Sequence, residues 1–301
     1  MIYTVTFNPA VDYVVDIGSV KWGGTNRLSG ERIFFGGKGI NVSVILHELG
    51  VPNKALGFCA GFTGDAVEQG LRDAGIDTDF IHLPQGFTRI NVKIRSDKET
   101  ELNGAGPDID AASLGKLYDK LEALSEGDTL VLAGSVPKSL PSDIYERIMA
   151  KLADRNVRFV ADAAGELLLR VLTYRPFLVK PNIHELGETF GTELHGADEA
   201  AVYARKLRDM GARNVLVSMG AEGALLIDEH GTEHRCGVFA GELRNSVGAG
   251  DSMVAGFIAG CADGDYGYAL KLGTACGGAT AFSDGLADRA AIDSLMERAE
   301  V

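Results

Sequence analysis

The 301-residue chain contains no stretch of 18 apolar residues, so no membrane-spanning helix is expected. Cysteine is scarce and poorly spaced for chemistry. Cys59, Cys236, Cys261 and Cys276 form no CxxC or CxxH pattern, which argues against a zinc site and against a disulfide framework. They read as small buried hydrophobes of a protein kept reduced in the cytoplasm. His47, His82, His184, His195, His230 and His234 form no ligand-spaced set, and none is given a role. Positive charge is short as well. With 29 Lys+Arg against 42 Asp+Glu the net charge is −13, which argues against non-specific nucleic-acid binding. An anionic substrate would therefore have to be held locally, by a few concentrated cations, backbone N–H groups and a metal. The opening MIYTVTFNPAVD lacks a basic stretch ahead of an apolar core and reads as a strand, not a secretion signal.

What is present is an alternation of apolar strands and amphipathic helices. Strands are expected over 2–7, 54–59, 77–83, 129–133, 158–161, 177–179 and 214–218, with a hairpin of 224–228 and 232–235. Helices are expected over 42–49, 64–74, 111–124, 142–153, 166–172, 199–210, 252–262, 266–281 and 290–299. That rhythm predicts an α/β fold, a mostly parallel sheet covered on both faces, whose ligands bind beyond the carboxyl ends of the strands. Strands at 12–17, 32–35 and 88–103 break the rhythm. Thr88 to Arg95 alternates polar with apolar, the mark of a strand with one wet face. These pieces suggest a small β-sheet lid, formed by segments about 12–35 and 87–104. No Pro- or Ser-rich linker and no internal repeat occurs, so the lid is expected to belong to a single domain spanning 1–301.

Two glycine clusters each run into a helix. Gly36-Gly37-Lys38-Gly39 is no P-loop, which needs GxxxxGK before Ser or Thr, and Gly248–Met253 is no dinucleotide fingerprint, because Met253 occupies the third glycine position. In Asn245-Ser246-Val247-Gly248-Ala249-Gly250-Asp251-Ser252 the small residues let backbone approach a ligand, and the helix start offers unpaired N–H groups and a positive dipole end. Asp251 can take a proton from a hydroxyl attacking a bound phosphate, or can simply cap the helix; the octapeptide alone leaves both open.

Taken together, Gly36 to Val42 (GGKGINV) and Asn245 to Asp251 resemble the two signatures of the ribokinase-like (PfkB) carbohydrate kinases. Supporting motifs follow in order: Asn8-Pro9-Ala10-Val11-Asp12, Ala133 to Pro137, Lys180-Pro181-Asn182 with Glu185, and Ser218 to Gly223. Asn8 to Asp12, Thr88 to Ile94 and Glu101 to Pro107 lean towards the hexose-phosphate branch of that family. The resemblance implies a ribokinase-like fold and an ATP- and Mg²⁺-dependent kinase, with fructose 1-phosphate as the expected acceptor. Tagatose 6-phosphate and fructose 6-phosphate are alternatives, and a non-catalytic sugar-phosphate sensor is the alternative of a different class.

By the same resemblance Asp251 is the general base, and Gly248, Ala249 and Gly250 offer amides to the transferring phosphoryl. Asp12, Gly37, Lys38, Asn41, Arg89, Asn91 and Lys138 would hold the substrate. Arg89 is the first choice for its phosphate, Lys138 and Arg27 are weaker, and Lys93 joins the Arg89 face. Lys180, Ser218, Gly220, Gly223, Gly248 and Gly250 would serve ATP, with Ala275, Gly278 and Ala279 admitting the adenine. Asn182 and Glu185 would handle magnesium indirectly, through water. A homodimer joined through the lid strands is implied as well. For Lys138 and Arg27 a solvated loop position explains the charge equally, and Trp22 reads as packing or interface.

Overall fold

A computed structural model of the protein describes residues 1–298. The chain forms β1 (Ile2–Thr6), β2 (Ala10–Asp16), β3 (Gly30–Gly36), α1 (Lys38–Glu48), β4 (Asn53–Ala60), α2 (Gly61–Asp73), β5 (Asp77–Thr78), β6 (Ile81–Leu83), β7 (Arg89–Arg95), β8 (Thr100–Asn103) and α3 (Ala111–Leu121). It continues with β9 (Thr129–Ala133), α4 (Ile144–Lys151), β10 (Arg158–Asp162), α5 (Gly165–Val171), β11 (Leu178–Val179), α6 (Ile183–Thr189), α7 (Gly196–Asp209) and β12 (Asn214–Ser218). The last elements are β13 (Ala224–Ile227), β14 (Glu233–Cys236), α8 (Ala249–Gly260), α9 (Tyr266–Ala281) and α10 (Arg289–Arg298).

The main sheet runs β14-β13-β12-β11-β10-β9-β1-β4-β5, with β6 also on β4. Its ladders are parallel from β5 to β12, and only β13 and β14 run antiparallel, as the predicted hairpin. The strands are apolar on both faces because both are covered. In β9, Leu130 and Leu132 enter the core under α3–α7, while Val131 and Ala133 enter the core under α1 and α8–α10. The chain order reverses at β1, which has β9 on one side and β4 on the other. A crevice opens at that point beyond the strand ends, the expected ligand position.

The irregular strands form a second sheet, β3-β2-β7-β8, with β2 and β7 parallel and the other pairs antiparallel. Its polar face looks at the crevice, and much of its apolar face looks outward. Ile33, Tyr13, Val92 and Leu102 lie in register across all four strands, and Ile33 and Leu102 are 60% and 57% exposed.

Some boundaries differ from expectation. The segment 77–83 splits into β5 and β6, both in one register along β4, where the Phe80 ring lies beside Gly57. Helix α8 starts at Ala249, three residues earlier than expected, because Gly248 takes the left-handed N-cap conformation with φ 82°. The expected helix 142–153 shortens to α4 plus a 3₁₀ turn at Ala153–Arg155. Position 299 of the last predicted helix lies outside the described residues.

Candidate active site

The crevice is built around the first turn of α8. Its first intrahelical bond runs from Ser252 N–H to Gly248 C=O at 2.8 Å, so the amides of Gly250 and Asp251 precede the ladder. The Ala249 N–H donates to Ser246 C=O at 3.4 Å, which turns it back into the loop. Asp251 is 6% exposed, and its Oδ2 accepts from Asn41 Nδ2 at 2.7 Å, tying α8 to the first glycine-cluster helix. Burial raises its pKa, helped by the negative charge of Asp162. Asn41, Lys38 and Lys180 pull the other way, and the balance is about 7. Asp251 is therefore a carboxylate poised to gain or lose a proton near neutrality.

A cleft of about 500 Å³ opens in front of it, between α8, α1 and the lid. Asp12, Gly37, Lys38, Asn41, Arg89 and Asn91, six of the seven expected substrate residues, all line it. Asn91 Nδ2 donates to Asp12 Oδ1 at 2.8 Å, and Lys93 Nζ sits 3.3 Å from Asp12 Oδ2. Arg89 Nε donates to Asn8 C=O at 3.2 Å, and burial lowers its pKa. The alternating strand thus turns its charged side inward, and Lys93 joins the cleft. Glu101 and Asn103 of β8 line it too, though sequence reading gave them no role.

On the far side, Lys180, Asn182, Glu185 and Ser218 border the same cleft. Asn182 and Glu185 form a reciprocal helix cap: Asn182 Oδ1 accepts from Glu185 N–H and Glu185 Oε2 from Asn182 N–H, each at 2.8 Å. The capping alternative is thus realised, while Glu185 Oε1 takes no part in it. No group of three or more His, Cys, Asp or Glu side chains suited to a metal occurs among the described residues. A single free carboxylate oxygen fits magnesium, which keeps most of its waters and leans on substrate phosphates. Gly220 opens a short 3₁₀ turn, and Gly223 closes it with φ 88°, where a Cβ would lie 2.1 Å from Cys236 C=O.

Asp162, which sequence reading missed, stands where this cleft meets a neighbouring one of about 610 Å³: it lines the neighbour, and Lys38 and Glu185 line both. Asp162 ends β10, is 4% exposed, and accepts from Lys38 Nζ at 2.7 Å, with Lys180 Nζ 3.5 Å from its other oxygen. An apolar strand ending in aspartate at the ligand edge was the signal available.

Other candidate residues lie elsewhere. Lys138 lines the neighbouring cleft of about 610 Å³ together with Asp162, Lys38 and Glu185, and does not line the cleft that holds Arg89. Arg27 and Trp22 lie exposed in the β2–β3 loop, Trp22 at 86%, and Arg27 does not line the cleft. Ala275 and Ala279 are buried in the core. Small residues on α9 instead let it press against α8: a Cβ on Gly256 would lie 2.8 Å from Gly273 Cα and from Leu272 C=O. Gly278 alone of the three reaches the surface, beside Phe239 and Phe282.

Residues 5–291 match the model of the pfkB family of carbohydrate kinases. Over 302 aligned residues the chain is 46% identical to the 1-phosphofructokinase of Bacillus subtilis, covering 100% of this chain and 99% of that one. It is 35% identical to the D-tagatose-1-phosphate kinase of Bacillus licheniformis, with coverages of 100% and 99%. Phosphofructokinase-2 of Escherichia coli, solved with substrates and products, superposes with a TM-score of 0.94 at 24% identity, over 100% and 99% of the two chains; that likeness concerns the fold.

Proposed function

The chain belongs to the pfkB family of carbohydrate kinases, and from that premise we propose that it transfers the γ-phosphoryl group of ATP to the free primary hydroxyl of fructose 1-phosphate. The products are fructose 1,6-bisphosphate and ADP. The observation that carries the reading is the buried Asp251 carboxylate, held by Asn41 at the start of α8 and facing the lid cleft. The choice of sugar rests on the relative named for that activity.

In this mechanism the acceptor oxygen attacks the γ-phosphorus in line while its proton passes to Asp251. The amides of Gly248 and Gly250 face the charge that spreads over the transferring oxygens, with Ala249 contributing once its bond to Ser246 yields. Asp12, Asn91, Gly37 and Asn41 hold sugar hydroxyls, while Arg89, Lys93 and Lys38 surround the existing phosphate. Lys180, Ser218, Gly220 and Gly223 flank the nucleotide. Asn182 and Glu185 would hold magnesium indirectly, and the ion would neutralise phosphate charge when bound. The lid excludes water, so that ATP is not hydrolysed instead.

The lid belongs to the same domain, and its bare row of Ile33, Tyr13, Val92 and Leu102 pairs with a second copy to make a homodimer. All four cysteines are free, and a reducing cytoplasm is where such an enzyme keeps them so.

A coupled ADP-release assay tests the reading with fructose 1-phosphate, fructose 6-phosphate, tagatose 1-phosphate and tagatose 6-phosphate. Fructose 1-phosphate should give the highest kcat/KM. Preference for tagatose 1-phosphate would shift the sugar, in line with the second relative. Binding of a sugar phosphate without any ADP release would make the protein a sensor.

A further inference from the structure

We propose that Asp162 is a positioning residue for this transfer: its buried carboxylate holds the Lys38 and Lys180 ammonium groups apart, one on the acceptor side and one on the donor side, until arriving phosphates take them. The inference rests on the kinase reading and names a part that the reading does not need.

Lys38 opens α1 and lines the acceptor cleft, and its ammonium reaches one oxygen of Asp162 at 2.7 Å. Lys180 follows β11, with its side chain 6% exposed, and approaches the other oxygen at 3.5 Å. Lys180 also lies against the amide cluster of α8, since a Cβ on Gly250 would be 3.2 Å from its Nζ. One carboxylate therefore spans the two substrate sides. Without it, two like charges would face each other across a small crevice, and a buried ammonium would lose its proton or its place. With it, the group of three carries one net positive charge, the sign that phosphates need.

Asp162 also acts on the base. The groups that bear on Asp251 are Asp162 from β10, Lys38 and Asn41 from α1, and Lys180 beyond β11. Of these only Asp162 is anionic, so it helps to keep the Asp251 proton affinity high enough to accept a proton near neutrality.

The test begins with Asp162→Asn. KM should rise about tenfold or more for both ATP and fructose 1-phosphate, since both lysines lose their anchor. The acidic limb of the kcat/KM–pH profile should move down by about one unit, because a negative neighbour has gone. An unmoved limb, a rise in only one KM, or recovery of activity at high Mg²⁺ would overturn the proposal; the last outcome would make Asp162 a metal ligand. A second measurement needs no activity and applies even if Asp162→Asn folds poorly. If the carboxylate pairs with the buried lysine, Asp162→Asn with Lys180→Met should melt above Asp162→Asn alone. Strictly additive melting shifts would contradict the pairing. Failure of wild type in every ADP-release assay would instead sink the kinase reading while leaving this stability cycle intact.

Discussion

Asp251 answers two opposed demands, and both leave a signature in pH. A base must be unprotonated before the acceptor arrives, so kcat/KM should climb as pH rises through about 7 and level off above it. A flat profile from pH 5.5 to 8 would exclude Asp251 as the titrating group. The same raised pKa is a cost to the empty fold. Its folded value of about 7 lies above the ordinary 3.8, so its stabilising contribution is complete below that ordinary value and is lost as pH rises through 7. Asp251→Asn keeps an oxygen for Asn41 and carries no charge. It should melt several degrees above wild type at pH 8, by an upper bound of about 4 kcal/mol, with the gain closing towards pH 4. Equal melting temperatures at pH 8 would contradict the burial argument. At this scale the signature residues were legible because glycines and a carboxylate before a helix have few uses, whereas Asp162 was not. Its partners Lys38 and Lys180 lie 124 and 18 residues away in sequence, and only the sheet edge brings them together. The burial of Ala275 was hidden for the converse reason. Small size suits a ring pocket and helix contact equally, and sequence does not say which surface a side chain meets.

Helices α8 and α9 position the site from behind. Gly256 packs on the backbone of α9, and its missing Cβ sets the distance between the two axes. Gly256→Ala should cost about 1–3 kcal/mol in denaturant unfolding and lower kcat with it, since the start of α8 must shift. An unchanged midpoint would mean that the contact is loose. The period of the apolar pattern had indicated both helices, but nothing in it distinguished a helix that touches ligand from one that supports another helix. The split of 77–83 into β5 and β6 was equally hidden, because both pieces keep one register along β4 and only the pairing at 79–80 lapses.

Across the whole molecule, alternation of buried strands and amphipathic helices was enough to indicate the covered parallel sheet, and the wet-faced strands indicated the lid. The direction of the lid was not in the pattern. Its polar side faces a charged cleft, so the apolar row Ile33–Tyr13–Val92–Leu102 is left outside. Leu102→Asp with Ile33→Asp should halve the molar mass measured by light scattering, because charges would then sit in the middle of the proposed contact. An unchanged mass would place any interface elsewhere.

The account stands or falls on where the acceptor proton goes. With saturating ATP, Mg²⁺ and fructose 1-phosphate, Asp251→Asn should bind both substrates within a few-fold of wild type. Its kcat should fall by about 10²–10⁴-fold in the ADP-release assay. A kcat within tenfold of wild type would show that some other group takes the proton.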